Sequence, residues 1–377
     1  MTKYLDIDVE ELNNKEAYWT AKEISQQPNI WRQTEKLINA NNFEVSAFLE
    51  PIMKLDNLRV ILTGAGTSAY LGETLAPHLS KEKQTLFEAI STTDIVSNPH
   101  GFLLKDTPTL IISYARSGNS PESLAAVELA TQIIDNCYHL VITCNPDGKL
   151  AQGTKANENS YSLIMPEGTL DESFAMTSSF TSMLVSTLCI FTPDNEQLEL
   201  AAKITDKLLI NNIELIKQHA KNDCERIVFL GSGSLMGVAR EAALKFLELT
   251  SGDVLSYFES PLGFRHGPKS LVNGKTDIIL LSSNDSYTKV YDKDLFDELV
   301  KDDVALSVVK LSDVFGGFFS DLDDVWAGLP MITYCQILSF YKSLDLKLSP
   351  DNPCPTGEVN RVVQGVSIYP LEEVAYA

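Results

Sequence analysis

Short apolar runs alternate with longer amphipathic stretches along this chain. Residues 60–63, 110–113 and 140–143 have the length and composition of buried strands, and helix-length segments such as 120–134 lie between them. Apolar strands that alternate with helices are typical of parallel sheets covered by helices. The pattern therefore predicts an α/β fold.

The same series of elements occurs twice. Residues 227–230 repeat the apolar strand at 60–63, and both strands end in a Gly-x-Gly turn that begins at Gly64 or at Gly231. Nearly the same offset relates the next two strands of each half. A shared offset over three successive elements indicates a duplication, so we predict two tandem doubly wound parallel-sheet domains.

The remaining segments suggest where these domains begin and end. Pro28 is expected to separate two N-terminal helices, at 17–25 and 30–39, and a helix over 203–220 is expected to join the two domains. Prolines near the C-terminus exclude regular structure there, and residues 362–368 beyond them are apolar enough to dock near the site. The predicted segments are an N-terminal helical segment (1–44), a first domain (45–205), a second domain (206–348) and a C-terminal tail (349–377).

The composition of the chain restricts the kinds of molecule that the protein is expected to bind. The chain of 377 residues carries a formal charge of −21, which disfavours nucleic acid and anionic membrane surfaces as partners. The cysteines lack metal-ligand or redox spacing, and the histidines occur singly. We therefore expect free thiols, no essential metal and no cofactor. Neither a signal peptide nor an apolar run of about 18 residues is apparent, which favours a cytoplasmic protein.

The sequence that follows the strand at 110–113 predicts an anion site. Ser117 and Ser120 offer hydroxyls, Gly118 permits close approach of the backbone, and Arg116 adds a positive charge where a helix begins. An acidic protein that binds a phosphorylated ligand needs such a local positive patch. An ordinary turn with a helix cap is the alternative interpretation.

The second domain has a different sequence at the corresponding place. Residues 282–286 contain no arginine or glycine, and Asp285 brings a carboxylate that would repel phosphate. Only the first domain is therefore expected to bind an anion.

A dinucleotide site is a rival interpretation of the first Gly-x-Gly turn. Gly64 to Ala69 satisfies the G-x-G-x-x-G/A pattern, and Glu88 lies near the distance at which a ribose-binding acid would follow. The second Gly-x-Gly turn and the hydroxyl-rich loop at 116–120 argue for a compact phosphomonoester instead. A nicotinamide-dependent oxidoreductase remains an alternative on this basis.

Candidate acid–base chemistry lies in the second domain. Glu241, Lys245 and Glu248 fall within about 60° of arc on one helical face. A carboxylate that moves a proton on carbon needs a neighbour to orient it, and the lysine can do so, although a solvated surface ion pair is the alternative. His266, held in a turn by Gly267 and Pro268, can move a proton near neutral pH or can be merely structural.

Together these motifs resemble the sugar isomerase (SIS) family in its tandem form, best known from the isomerase half of glucosamine-6-phosphate synthase. The resemblance runs from about residue 45 to residue 368. It rests on Gly66-Thr67-Ser68, Arg116-Ser117-Gly118-Asn119-Ser120, the Thr-rich helix start at 174–181, the helix from Glu241 to Glu248, and His266-Gly267-Pro268.

The resemblance implies flavodoxin-like domains and a role for each motif. The first two motifs would bind the 6-phosphate of a sugar: Gly66, Thr67, Ser68, Arg116, Ser117, Gly118, Asn119 and Ser120. Glu248 would be the base, oriented by Glu241 and Lys245, and His266 would assist ring opening. In the family that histidine comes from a neighbouring subunit, which implies a homodimer or a larger homo-oligomer.

Within the family, residues 26–31 and 350–361 resemble the AgaS group, which acts in the breakdown of galactosamine. This implies conversion of D-galactosamine 6-phosphate to D-tagatose 6-phosphate and ammonia, or a related aldose–ketose isomerisation. Gln364 stands where the synthase has a lysine, so an imine between enzyme and sugar is not expected. Ser178 replaces another family lysine. A non-catalytic sugar-phosphate sensor is a further alternative, against which the acid–base residues argue.

Overall fold

The structure, a computed structural model, describes residues 2–155, 157–363 and 365–371. Its strands are, in chain order, β1 (Lys3–Tyr4), β2 (Ile7–Asp8), β3 (Arg59–Thr63), β4 (Phe87–Ala89), β5 (Thr109–Ala115), β6 (Cys137–Thr143), β7 (Ser160–Ile164), β8 (Arg226–Gly231), β9 (Leu255–Glu259), β10 (Thr276–Leu281) and β11 (Ser307–Lys310).

The α-helices are, in chain order, α1 (Val9–Asn14), α2 (Tyr18–Ala40), α3 (Asn42–Ile52), α4 (Thr67–Lys83), α5 (Thr92–Ser97), α6 (Pro99–Phe102), α7 (Pro121–Ile133), α8 (Lys149–Thr154), α9 (Ser178–Phe191), α10 (Asn195–Asn211), α11 (Ile213–Ala220), α12 (Ser234–Leu249), α13 (Pro261–Phe264), α14 (Thr288–Asp302), α15 (Leu311–Phe315) and α16 (Asp324–Asp345). Short 3₁₀ helices span Pro268–Leu271 and Gly317–Asp321.

The chain forms two compact units, each with its own parallel sheet. Unit 1 comprises the described residues within Met1–Arg32, Asp171–Thr181 and Asp194–Thr356. Unit 2 comprises those within Gln33–Leu170, Ser182–Pro193 and Gly357–Ala377.

The sheet of unit 2 has the strand order β4-β3-β5-β6-β7, and all of its pairs are parallel. Every residue of the central strand β5 is buried. The strand order reverses between β3 and β5, and ligands of open α/β sheets bind at the carboxyl ends of strands at such a point. Thr63 at the end of β3 pairs with Ser113 of β5. The Gly64 turn and the loop after β5 therefore leave the sheet side by side.

The sheet of unit 1 repeats this topology with the order β11-β10-β8-β9, again parallel. Gly66 has φ 54° and ψ −128°, and Gly233 has φ 56° and ψ −127°. A Cβ on Gly64 would lie 2.5 Å from the Cβ of Ser68, and one on Gly231 would lie 2.3 Å from a backbone oxygen. Each turn thus needs both of its glycines. The prediction of two tandem doubly wound α/β domains is confirmed.

The prediction that Pro28 separates two helices is wrong, because α2 continues through it. Proline has no N–H to donate to the carbonyl four residues earlier, which here belongs to Ile24. The side-chain Nε2 of Gln27 donates to that carbonyl at 3.1 Å. The side-chain amide of Gln27 therefore supplies the hydrogen bond that Pro28 cannot donate to the carbonyl of Ile24.

The predicted helix at 203–220 is also corrected, since α10 ends and α11 begins around Asn212. The N–H of Asn212 closes α10 on Leu208 at 3.1 Å, and its carbonyl accepts from Ile216 of α11 at 3.0 Å. One residue thus ends one helix and starts the next.

The described cysteines are all free thiols, as the sequence predicts. Within the described ranges, no helix has the length and apolar character needed to cross a membrane.

Candidate active site

The loop of unit 2 that is predicted to bind an anion, residues 116–120, connects β5 to α7. Arg116 is 7% exposed, and its Nη2 donates to the backbone oxygen of Arg361 in the tail at 2.6 Å. Gly118 has φ +66°, a conformation that suits glycine. The arginine predicted to bind phosphate is therefore held in place by the tail, a contact that the sequence did not predict.

Neighbouring groups fix the shape of this loop. The Nδ2 of Asn145 donates to the carbonyl of Ser117 at 2.9 Å, and the N–H of Lys149 donates to Oδ1 of Asn119 at 3.0 Å. The Oγ of Ser120 accepts from the N–H of Ser123 and caps α7, as the cap interpretation predicts. The side chains of Asn119 and Ser120 thus shape the loop.

The Gly66-Thr67-Ser68 turn begins α4 at the end of the adjacent strand, and its Thr67 and Ser68 are buried. Sequence reasoning missed a set of hydroxyls at this edge of the sheet. Among the described residues, Oγ1 of Thr63, Oγ1 of Thr92 and Oγ of Ser113 are buried with no hydrogen-bond partner. Buried hydroxyls without partners are rare in folded proteins, so this edge offers donors to a polar ligand.

The dinucleotide interpretation is weakened by the position of Glu88. Its carboxylate forms an ion pair and hydrogen bond with Arg59 on the neighbouring strand. A carboxylate that is already paired in this way is poorly placed to bind a ribose.

In unit 1 the protein's own carboxylates occupy the corresponding strand ends. The N–H of Ser283 donates to Oδ2 of Asp292 at 2.7 Å, and the N–H of Asn284 donates to Oδ1 of Asp324 at 2.7 Å. Burial is the main cause that raises the pKa of Asp292 to about 6. The structure thus places Asp292 and Asp324 beside the segment in which Asp285 is predicted to repel an anion.

Glu241, Lys245 and Glu248 of unit 1 lie on α12. They are called the acid triad here because two carboxylates flank the lysine. The Nζ of Lys245 is 3.6 Å from Oε1 of Glu241 and donates to Oε2 of Glu248. Lys245 and Glu241 are fully buried, whereas the side chain of Glu248 is 23% exposed. The helical spacing correctly predicts that the three groups meet, and the alternative of a solvated surface pair is wrong. A buried lysine thus orients a carboxylate that remains accessible.

Replacing Lys245 with methionine should destabilise the fold, because the variant removes the cation that contacts the carboxylates of Glu241 and Glu248 on α12. Breaking a buried ion pair costs about 3 to 5 kcal/mol of unfolding free energy, measurable by urea denaturation. Lys293→Met is the matched control, since the ion pair of Lys293 with Asp297 is exposed and is worth at most about 1 kcal/mol. Equal losses in the two variants would contradict the buried-pair account.

His266 lies between α13 and the 3₁₀ helix Pro268–Leu271, and its side chain is exposed. The backbone N–H of His266 donates to the carbonyl of Gly263 at 2.9 Å, and Gly267 has φ +130°. Among the described residues, its imidazole forms no hydrogen bond or ion pair. The structure therefore confirms that the histidine is held in a turn, but shows no contact within this chain to the acid triad.

Ser178, at the start of α9, lies in a buried polar network that the sequence did not predict. Its Oγ donates to Oδ1 of Asp171 and accepts from Nε2 of Gln26, both at 2.8 Å. Asp171 also accepts from the N–H of Ser179 at 2.9 Å. Nearby, Glu23 accepts from the N–H of Glu172 at 2.6 Å. Two buried carboxyl groups thus hold the start of α9 within unit 1.

Glu23→Gln should flatten the pH dependence of stability. Burial, followed by the charge of Asp171, raises the pKa of Glu23 from its ordinary value of 4.5 to about 8. Folding therefore takes up a proton between these values, and stability falls as pH rises through that window, by about 1.4 kcal/mol per pH unit. Urea denaturation from pH 5 to pH 8 should show a smaller fall in the variant than in the wild type. Parallel curves, like those expected for the exposed control Glu10→Gln, would contradict this.

Gln364, the proposed counterpart of the synthase lysine, lies outside the described residues. Of the apolar residues near it, Val363 is 52% exposed and Ile368 is 36% exposed, so docking of this stretch stays a prediction. Among the described residues there is no group of three or more histidine, cysteine, aspartate or glutamate side chains that could hold a metal ion.

Comparison with known proteins identifies the family. The SIS domain model matches residues 55–193. The D-galactosamine-6-phosphate deaminase AgaS of Shewanella sp. (strain ANA-3) is 52% identical, over 97% of this chain and 95% of the relative. The protein of the same name from Escherichia coli O157:H7 is 41% identical, over 94% and 96%. The crystal structure of tagatose-6-phosphate ketose/aldose isomerase from Escherichia coli superposes with a TM-score of 0.88 at 40% identity, covering 94% of this chain and 97% of that one. This chain therefore belongs to the AgaS family of SIS-domain proteins.

Proposed function

We propose that the protein is an amino-sugar phosphate deaminase/isomerase that converts D-galactosamine 6-phosphate and water to D-tagatose 6-phosphate and ammonia. The observation that carries the proposal is the acid triad, in which a fully buried lysine holds an accessible carboxylate. The names of the relatives at 52% and 41% identity supply the substrate.

In this proposal unit 2 binds the phosphate. Arg116 is its cationic ligand, with Ser117, the backbone at Gly118, and the Gly66-Thr67-Ser68 turn. The charge-assisted bonds of an arginine to a phosphate orient the substrate and add no chemistry of their own. Because the carboxylates of Asp292 and Asp324 occupy the strand ends in unit 1, each chain binds one phosphate.

Unit 1 supplies the proton transfers. His266 moves a proton between O5 and O1 as the pyranose ring opens to the aldehyde. Glu248 then takes the proton from C2 while O1 takes up a proton, which gives an enolamine, and Glu248 returns its proton to C1 as the amino group loses one. The 2-amino carbon is now an imine, to which water adds. Ammonia leaves, and the ketose remains.

Lys245 orients the carboxylate of Glu248 while the carbon acid loses its proton. Glu241 neutralises that lysine from its other side. The imine that is hydrolysed belongs to the substrate, since Gln364 cannot form a Schiff base.

We further propose a cytoplasmic homodimer or larger homo-oligomer, whose domains span 45–205 and 206–348 and whose tail, 349–377, docks near the site. The exposure of the His266 side chain supports a role toward a second copy of the chain. Light scattering of the purified protein would test the assembly, and a monomer with full activity would refute it.

A second candidate is isomerisation of a hexose 6-phosphate without loss of ammonia. The Escherichia coli structure at 40% identity, which is named a tagatose-6-phosphate ketose/aldose isomerase, favours it. The same C2-to-C1 proton transfer serves both reactions, since only the atom on C2 differs.

A substrate panel separates the candidates. Purified protein is incubated with galactosamine 6-phosphate, glucosamine 6-phosphate and tagatose 6-phosphate, while ammonia and sugar phosphates are quantified. We expect ammonia and tagatose 6-phosphate from the first compound. Isomerisation of tagatose 6-phosphate alone would favour the second candidate. Binding of the sugar phosphates without turnover would indicate a sensor, and NADH binding would indicate an oxidoreductase.

A further inference from the structure

The loop that carries His266 is flanked by two cations that share one carboxylate. Nε of Arg265 donates to Oε2 of Glu298 at 2.8 Å, and Nζ of Lys269 donates to Oε1 of the same side chain. Arg265 immediately precedes the histidine, and Lys269 follows it by three residues. Each oxygen of one carboxylate therefore binds one side of the loop.

Two further acids extend this arrangement along α14. Nη2 of Arg265 donates to Oδ2 of Asp294 at 2.9 Å, and Nζ of Lys269 donates to Oδ2 of Asp302 at 2.6 Å. Asp294, Glu298 and Asp302 are four residues apart, so successive side chains are offset by about 40° around the helix. The three acids form one stripe along α14, and both Arg265 and Lys269 bind its middle member, Glu298.

Apolar contacts between α13 and α14 also hold the loop that carries His266. Phe264 at the end of α13 is fully buried in a cluster with Leu295 and Leu299 of α14. The backbone thus passes from a buried phenylalanine to the paired Arg265 and then to the exposed His266. The apolar contacts hold α13 on α14, while the ion pairs act on the residues beside the histidine.

We propose that Glu298 is a positioning residue, whose carboxylate clamps Arg265 and Lys269 and thereby sets the place of the His266 imidazole during ring opening. The inference rests on the proposed function, in which His266 moves the ring-opening proton. The side chains of Arg265, Lys269 and Glu298 are 25–34% exposed, and ion pairs near solvent add little to stability. A displacement of about 1 Å at a reacting group, by contrast, can cost up to about 100-fold in rate. The clamp should therefore affect turnover far more than folding.

A double-mutant cycle tests the proposal. Glu298→Ala should lower kcat for galactosamine 6-phosphate about 10-fold, with KM changed less than about 2-fold and little change in melting temperature. In a His266→Ala background the same substitution should cause no further loss, because the residue acts through the histidine. A loss of equal size in both backgrounds, or no loss in either, would overturn the proposal.

The matched control is Asp297→Asn on the same helix, whose exposed ion pair is with Lys293. It should leave kcat unchanged. Glu298→Gln keeps the volume of the side chain, so a similar fall in kcat in that variant excludes a cavity as the cause. Full activity of Glu298→Gln would mean that the charge of the clamp does not matter, which contradicts the proposal.

An activity-independent measurement separates failure of this inference from failure of the proposed function. The chain has five histidines, so the Cε1–H resonance of His266 can be assigned by comparison with His266→Ala. Glu298→Ala should shift and broaden that resonance, and Asp297→Asn should not. An unchanged resonance overturns the clamp even if the enzyme turns over. A wild type without turnover refutes the proposed function, while the resonance still tests the clamp.

Discussion

Glu248→Gln is expected to lower kcat for galactosamine 6-phosphate by about 1,000- to 10,000-fold while KM changes little, because a glutamine cannot take the C2 proton. The substitution keeps the shape of the side chain and an oxygen that can accept from Lys245. Binding through the phosphate should therefore survive. Initial rates of ammonia release give both constants.

The control for this prediction is Glu214→Gln, an exposed glutamate of the same unit whose side chain is 67% exposed. It should match the wild type in kcat and KM. If Glu248→Gln instead keeps its kcat within about 10-fold, or loses affinity at constant kcat, Glu248 is not the base.

Arg116→Ala should raise KM for the same substrate by about 10- to 100-fold and change kcat much less. A hydrogen bond to a charged group contributes about 1.5 to 3 kcal/mol of binding free energy. In the proposed mechanism the arginine binds the phosphate and takes no part in the proton transfers at C1 and C2. Arg116→Lys should recover part of the loss, because lysine keeps the charge but lacks the planar fork of donors. Steady-state kinetics measure both effects.

The opposite effect on kcat and KM would contradict the role of Arg116 in phosphate binding. A fall in kcat at constant KM would mean that the arginine acts on the reacting carbons. Unchanged kinetics would mean that its hydrogen bond to the tail at Arg361 is its whole role. Isothermal titration with inorganic phosphate gives a second readout, and we expect one site per wild-type chain and weak binding to Arg116→Ala.

Local patterns were sufficient to predict the sheets and the acid triad. Buried parallel strands require continuous apolar runs, and the Gly-x-Gly turn requires a glycine at φ near +55° and one with no room for a Cβ. Glu241, Lys245 and Glu248 are on one helix, so their spacing alone places them on one face. Each of these features depends on residues close together in sequence.

Features that depend on distant residues could not be predicted in this way. Glu23 accepts from the N–H of Glu172, which lies 149 residues later in the chain, and Asp324 accepts from the N–H of Asn284 across 40 residues. The continuity of α2 through Pro28 depends on a side-chain amide that replaces a backbone donor. No periodicity encodes such hydrogen bonds, because they form only when the tertiary fold brings the partners together.

The most direct test of the account follows galactosamine 6-phosphate deuterated at C2 by NMR in the presence of the purified protein. We predict tagatose 6-phosphate and ammonium in equal amounts, with the deuterium lost from C2 and found at C1 or in the solvent. A substrate that remains unchanged, or that loses no ammonium while its C2 deuterium stays in place, would contradict the proposed reaction.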